Sequence, residues 1–151
     1  MDIRIRKIGE EEKEYIEIGC LDKTAKISEI VRFVKGLEGT VGGSIGQKQF
    51  EIPIVDIYYI ESVDNRTFIY SSDKTYETNR KLYEFEELLR ERNFLRISKS
   101  TVLNAMKARS VKPALNGRFS CILQNGEEVI ISRKYVSQFR EFIGRRAEGK
   151  R

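Results

Sequence analysis

The sequence predicts a mostly β fold of the α+β kind, and three observations carry that expectation. Short apolar runs with alternating polar residues recur throughout. Turn dipeptides punctuate them at Asp64-Asn65, Ser72-Asp73, Asn116-Gly117 and Asn125-Gly126. Helical spacing of apolar residues is confined to a few short stretches.

Taken in order, Ile3, Ile5 and Ile8 alternate with Arg4, Arg6 and Lys7, as a strand does; Glu10-Glu11-Glu12 reads as a turn, and Tyr15–Ile18 as a second strand. Ile27, Ile30, Val31, Val34 and Leu37 fall on one helical face, with Thr24 as N-cap and Gly36 or Gly39 as stop. Gly39–Ser44 reads as a flexible join, so a boundary is expected there. Strands follow at Ser44–Ile52, Ile57–Ser62, Phe68–Ser71 and Lys74–Thr78. Leu82, Phe85, Leu88 and Leu89 mark a helix with Asn79 as its cap. Strands near Leu95–Ile97, Ser110–Leu115, Phe119–Leu123 and Glu128–Ile131 come next. A last helix, capped by Ser132, buries Tyr135, Val136, Phe139, Phe142 and Ile143 and leaves Arg145–Arg151 as a frayed basic tail.

The 151 residues suit one domain, or a small domain with an appendage. With 40% hydrophobic and 34% charged residues of both signs, the chain can build a core and does not read as disordered. The net charge of +5 is unevenly spread: Phe94–Arg151 holds 13 Lys/Arg against 4 Asp/Glu, whereas residues 1–93 carry a net −4. That asymmetry points to a nucleic-acid or acidic-membrane face on the C-terminal half, although basic residues that merely solvate the surface would give the same count.

Several functions are disfavoured. Histidine is absent, which removes His-based triads, dyads and metal sites. Cys20 and Cys121 lack metal or redox spacing and form no disulfide framework, so the reading is intracellular and cytoplasmic. Gly39–Gly46 is glycine-rich but lacks the lysine and context of a phosphate loop. Glu84, Glu86 and Glu87 alternate with Arg80, Lys81 and Arg90 as surface pairs rather than acid–base machinery. No apolar run approaches the roughly 18–20 residues that span a bilayer. No catalytic residue, metal or cofactor is expected, and the chain does not read as an enzyme.

Three places invite an anion. Phe94–Asn104 alternates apolar and polar residues and crowds Arg96, Ser98, Lys99, Ser100 and Thr101 together; it opens a window from Asn93 to Gly126 without a carboxylate. A strand end with polar edges would look the same. Ser132-Arg133-Lys134 sets two cations in the first turn of a helix, where the dipole costs each about 0.3–1 kcal/mol. A docked phosphate or base edge would offset that cost, although a surface also tolerates it. Asp64-Asn65-Arg66-Thr67 is the third candidate, or an ordinary hairpin tip. Tyr58, Tyr59, Phe68 and Tyr70 could stack on single-stranded bases or pack inward.

These residues together resemble the LytTR family of bacterial DNA-binding domains, from about Gly43 to Gly144. The resemblance rests on Ile57-Tyr58-Tyr59-Ile60-Glu61-Ser62, Leu82 with Leu88, Phe94-Leu95-Arg96-Ile97-Ser98-Lys99-Ser100 with Val102-Leu103-Asn104, Asn125-Gly126, and Ser132-Arg133-Lys134-Tyr135. It implies an elongated stack of small antiparallel sheets with short helices, which reads duplex DNA through loops. Residues 1–40 would then be a β-β-α appendage for dimerisation or regulation, 43–144 the DNA-binding domain and 145–151 the basic tail.

Carried over by position, base contacts fall on Lys99, on Arg133 and Lys134, and on Arg66 or Thr67. Arg96 and Ser100 would hold phosphates, with Ser98 beside them. The family often has His-Arg or His-Asn where this chain has Ser98-Lys99; Lys99 still donates to guanine in the major groove. The resemblance implies a sequence-specific transcriptional regulator without a receiver domain, a homodimer on paired promoter repeats, open to a regulatory protein partner and not inserted in membrane. The alternatives are an RNA- or single-strand-binding β domain and a protein-interaction module with a basic face.

Overall fold

The structure, a computed structural model, describes residues 1–149. Among them, ten strands form two antiparallel sheets, with three α-helices around them. The larger sheet comprises β1 (Thr40–Ile45), β2 (Lys48–Pro53), β3 (Ile57–Val63), β4 (Arg66–Ser71), β5 (Thr75–Thr78), β6 (Phe94–Arg96) and β7 (Thr101–Asn104), ordered β2-β1-β5-β4-β3-β7-β6. The smaller comprises β8 (Ala108–Pro113), β9 (Phe119–Leu123) and β10 (Glu128–Ile131), ordered β10-β9-β8. The mostly β expectation therefore holds.

Two cores explain the layering. Ile57, Ile60, Ile69 and Val102 of the large sheet pack with Leu82, Phe85 and Leu89 from α2 (Leu82–Leu88) and its C-cap. Tyr58, Ile97 and Leu103 pack with Cys121, Leu123, Ile131 and with Phe139 of α3 (Val136–Gly149). Both faces of β3 are thus covered, which suits its run of four apolar residues from Ile57 to Ile60. An irregularity in the β3–β4 register between Ile57 and Tyr59 lets Ile57 and Ile60 serve the same core.

Several expectations change. The Gly39–Ser44 join is β1, and Ser44–Ile52 is not one strand but the hairpin β1–β2 turning at Gly46-Gln47. Gly43 is needed there because an added Cβ would lie 2.8 Å from Ile52 Cδ1 and 3.0 Å from Tyr76 Cβ. The helix α1 (Ala25–Gly36) has Thr24 as its N-cap, accepting from the Ile27 amide at 3.4 Å. It docks on the domain: Arg92 donates to the carbonyls of Lys35 and Glu38, and Asn93 to that of Arg32.

The α2 cap is Lys81 rather than Asn79, because Glu84 reaches back to accept from the Lys81 amide at 2.7 Å. Leu88 faces solvent instead of the core. The last helix runs through Gly149 rather than fraying after Gly144. Lys150 and Arg151 of the expected tail lie outside the described residues.

The two strands expected before α1 are not formed. Met1–Lys7 and Lys13–Gly19 enter no ladder. A two-stranded ribbon is marginal in water without a third strand or a packed face. Here Ile3 and Ile5 stand 87% and 96% exposed.

Candidate nucleic-acid interface

Two backbone hydrogen bonds gather the cation-bearing segments. The Ser62 amide donates to the Ser100 carbonyl at 2.8 Å, and the Ser132 amide donates to the Ile97 carbonyl at 2.8 Å. The end of β3, the loop carrying Lys99 and the start of the last helix are therefore held side by side. Strands β6 and β7 supply the loop's legs, with Arg96 opposite Val102 and the Ile97 amide donating to Thr101 at 3.0 Å.

Within that loop Ser98 Oγ accepts from the Ser100 amide at 3.2 Å, a local turn that leaves Lys99 at the tip. Lys99 and Ser100 are exposed, and Ser98 is half-buried. Arg96 behaves differently. Its side chain is 18% exposed and donates from Nε to the Ser98 carbonyl at 2.7 Å, to the Lys99 carbonyl, and to Glu86 Oε2 at 2.9 Å. The guanidinium is used to hold the loop, which sequence proximity to Lys99 did not reveal.

At the last helix, Ser132 sits at the cap position but makes no side-chain capping bond; its amide is committed to Ile97 instead. Arg133-Lys134-Tyr135 form one 3-10 turn that leads into α3. Arg133 and Lys134 are both exposed. Lys134 Nζ stands 5.5 Å from the centre of the Tyr135 ring. Among the described residues, Lys99, Arg133 and Lys134 enter no ion pair. The Arg133 stem lies across Gly117, where a Cβ would come 2.8 Å from Arg133 Cδ. Gly117 belongs to the β8–β9 turn, so that turn fixes the path of Arg133, a contact no local sequence signal announced.

The third candidate divides. Asp64 and Asn65 both adopt positive φ, 51° and 63°, and make the two-residue turn between β3 and β4. That turn points Thr67 inward, 4% exposed and opposite Thr78. Arg66 faces outward but is held by Glu77 through two bonds of 2.9 and 2.7 Å, and lies over the Phe68 ring. That hydrogen-bonded pairing lowers the Glu77 carboxyl pKa and raises that of Arg66.

The aromatic run is mostly spoken for. Tyr58 is in the core beneath Lys107, whose Nζ stands 4.9 Å from the ring centre. Tyr59 and Tyr70 stack on each other at 4.5 Å. Burial, then a hydrogen bond to Glu127, drives the Tyr59 phenol pKa well above its ordinary value.

Comparison with known proteins identifies the family. Residues 47–144 match the model of the LytTr DNA-binding domain. The chain belongs to that family. A solved LytTr DNA-binding domain from Bacillus cereus superposes with a TM-score of 0.67 at 27% identity, covering 71% of this chain and 98% of that one. The sensory transduction protein LytT of Enterococcus faecalis is 30% identical over 89 residues, which is 59% of this chain and 37% of that protein. The transcriptional regulatory protein YpdB of Escherichia coli K12 is 33% identical over 92 residues, 60% of this chain and 38% of that protein. The alignment thus spans well under half the length of these two relatives. Membership in a LytTr DNA-binding family points away from enzymatic chemistry. Among the described residues, no helix is long and apolar enough to cross a membrane.

Proposed function

We propose that the protein is a cytoplasmic transcriptional regulator that binds specific duplex sites, as a homodimer on paired promoter repeats. The observation supporting this reading is the pair of backbone bonds, Ser62 to Ser100 and Ser132 to Ile97, which holds the loop that carries Lys99 against the start of the last helix, where Arg133 and Lys134 are exposed. Loop cations in that arrangement reach base edges in the grooves, while neighbouring donors hold phosphates. Lys99, Arg133 and Lys134 read bases, Ser98 and Ser100 flank them, and Arg66 lies at the margin. Arg96 acts by positioning the loop. Thr67, being buried, is set aside.

The test is capture of sheared genomic DNA at physiological salt, followed by sequencing, with a Lys99→Ala/Lys134→Ala variant alongside. Sharply enriched fragments sharing paired repeats, absent with the variant, are expected. Each single replacement should cost about 1–3 kcal/mol on the specific site and much less on random DNA. Uniform retention on all fragments, or none, would overturn the reading.

A further inference from the structure

The row of anchored segments at the proposed DNA face continues one place beyond the residues assigned to it. Ile131 of β10 pairs with Phe119 of β9. One residue further along both chains, Arg118 comes opposite Ser132 and Gly117 opposite Arg133. The contact of Gly117 with the Arg133 stem agrees with that register. Because the Ser132 amide is bonded to Ile97, the start of the last helix lies between the Lys99 loop and the turn that joins β8 to β9. That turn is fixed by its own bonds. The Ala114 amide donates to the Arg118 carbonyl at 2.8 Å and the Arg118 amide to the Leu115 carbonyl at 3.3 Å, while Asn116 and Gly117 take positive φ of 62° and 73°.

The side chains of this turn point out from the fold. Phe119 and Cys121 pack in the core, so alternation puts Arg118 on the outer face of the small sheet. Lys112 pairs with Ser120 and shares that face. Both cations are exposed, and among the described residues neither enters an ion pair. No Asp or Glu lies between Asn93 and Gly126 to neutralise them locally. Leu115, on the turn itself, is 84% exposed. One bound acid would need these cations to converge on a point. They stand instead on separately anchored segments beside Arg133, an arrangement that matches the repeated charge of a nucleic-acid backbone.

We propose that the β8–β9 turn is a further contact with duplex DNA, in which Arg118 and Lys112 hold phosphates and Leu115 packs on the sugar edge beside them. This deepens the DNA-binding reading and rests on it. The turn touches backbone and no base, so it raises affinity for every duplex alike, unlike Lys99 and Lys134.

The test is fluorescence anisotropy of the full chain with a labelled duplex of random sequence, titrated over a range of salt. Arg118→Ala and Lys112→Ala should each lower the slope of log affinity against log salt by about 0.9. Lys48→Ala removes the same charge from an exposed position on β2, at the edge of the large sheet away from the Lys99 loop, and should leave the slope at the parent's value. Leu115→Ser should weaken binding several-fold with the slope unchanged. Unfolding midpoints of all four variants should match the parent's. A slope unmoved by Arg118→Ala or Lys112→Ala, or an affinity unmoved by Leu115→Ser, would overturn the proposal while the parent's own binding keeps the DNA reading. A parent that binds no duplex would remove both.

Discussion

Arg96 Nη1 meets Glu86 Oε2 at 2.9 Å while Nε of the same guanidinium donates to the Ser98 carbonyl at 2.7 Å. One side chain thus fastens the Lys99 loop and anchors it to the segment containing α2. Arg96→Ala should cost about 2 kcal/mol in urea unfolding, because charge-assisted bonds to loop carbonyls are lost at a half-buried position. Specific DNA affinity should fall with it. Glu86→Gln keeps an acceptor and leaves the carbonyl bonds intact, so its cost should stay below about 1 kcal/mol and binding should survive. If Arg96→Ala instead leaves stability untouched and flattens the salt dependence of binding by about one phosphate contact, Arg96 holds DNA directly.

Gly117 and Arg133 make a second testable pair. Gly117 has φ of +73°, and an added methyl would press on Arg133 at 2.8 Å from Cδ and 3.1 Å from Cγ. Gly126, with φ of +89°, has nothing within 4 Å of such a methyl. Both alanine variants should lose about 1 kcal/mol from backbone strain. Gly117→Ala alone should also weaken specific DNA binding several-fold, by redirecting Arg133. Equal DNA affinities in a direct titration would show that the path of Arg133 is not fixed by this turn.

These two contacts also mark where reading the sequence succeeds and where it stops. Phe119–Leu123 and Glu128–Ile131 were legible to the residue, because alternation and the Asn125-Gly126 turn constrain both ends. Lys99, Arg133 and Lys134 were legible as exposed cations since they lie on turns flanked by apolar anchors. Thr67 was not, because facing depends on the Asp64-Asn65 turn being two residues long, and a one-residue change reverses every side chain beyond it. The role of Arg96 depends on Glu86, in a different element, and that of Gly117 on Arg133. Gly42-Gly43 reads as a linker by composition, yet it is strand because Ile52 and Tyr76 come too close for a side chain at Gly43.

Stability should fall on the alkaline side, and Tyr59 should account for part of the fall. Burial, followed by the hydrogen bond to Glu127, raises its phenol pKa above the ordinary value of about 10. Above pH 10 the unfolded chain loses this proton while the folded one keeps it. The unfolded state then binds fewer protons, so stability drops as pH rises. Tyr70 is shifted in the same direction, chiefly by burial. Tyr59→Phe should flatten the decline between pH 10 and 11. Unfolding midpoints across that range check it; a parallel decline in parent and variant would remove Tyr59 as a cause.

Glu77 neutralises a cation at the edge of the proposed interface, so removing its charge should strengthen DNA binding rather than weaken it. Arg66 gives both donors of its fork to Glu77, at 2.9 and 2.7 Å; Arg66 stands on an exposed position of β4 and Glu77 on a half-exposed one of β5. An exposed pair of this kind contributes little to folding. Glu77→Gln should therefore change the unfolding midpoint only slightly. It should free Arg66 to meet phosphate and steepen the slope of log affinity against log salt by up to about 0.9. The same replacement made on Arg66→Ala should give no comparable gain, because the cation it would release is gone; this comparison separates release of Arg66 from a general loss of negative charge. An equal gain in both backgrounds would place Arg66 away from the bound duplex.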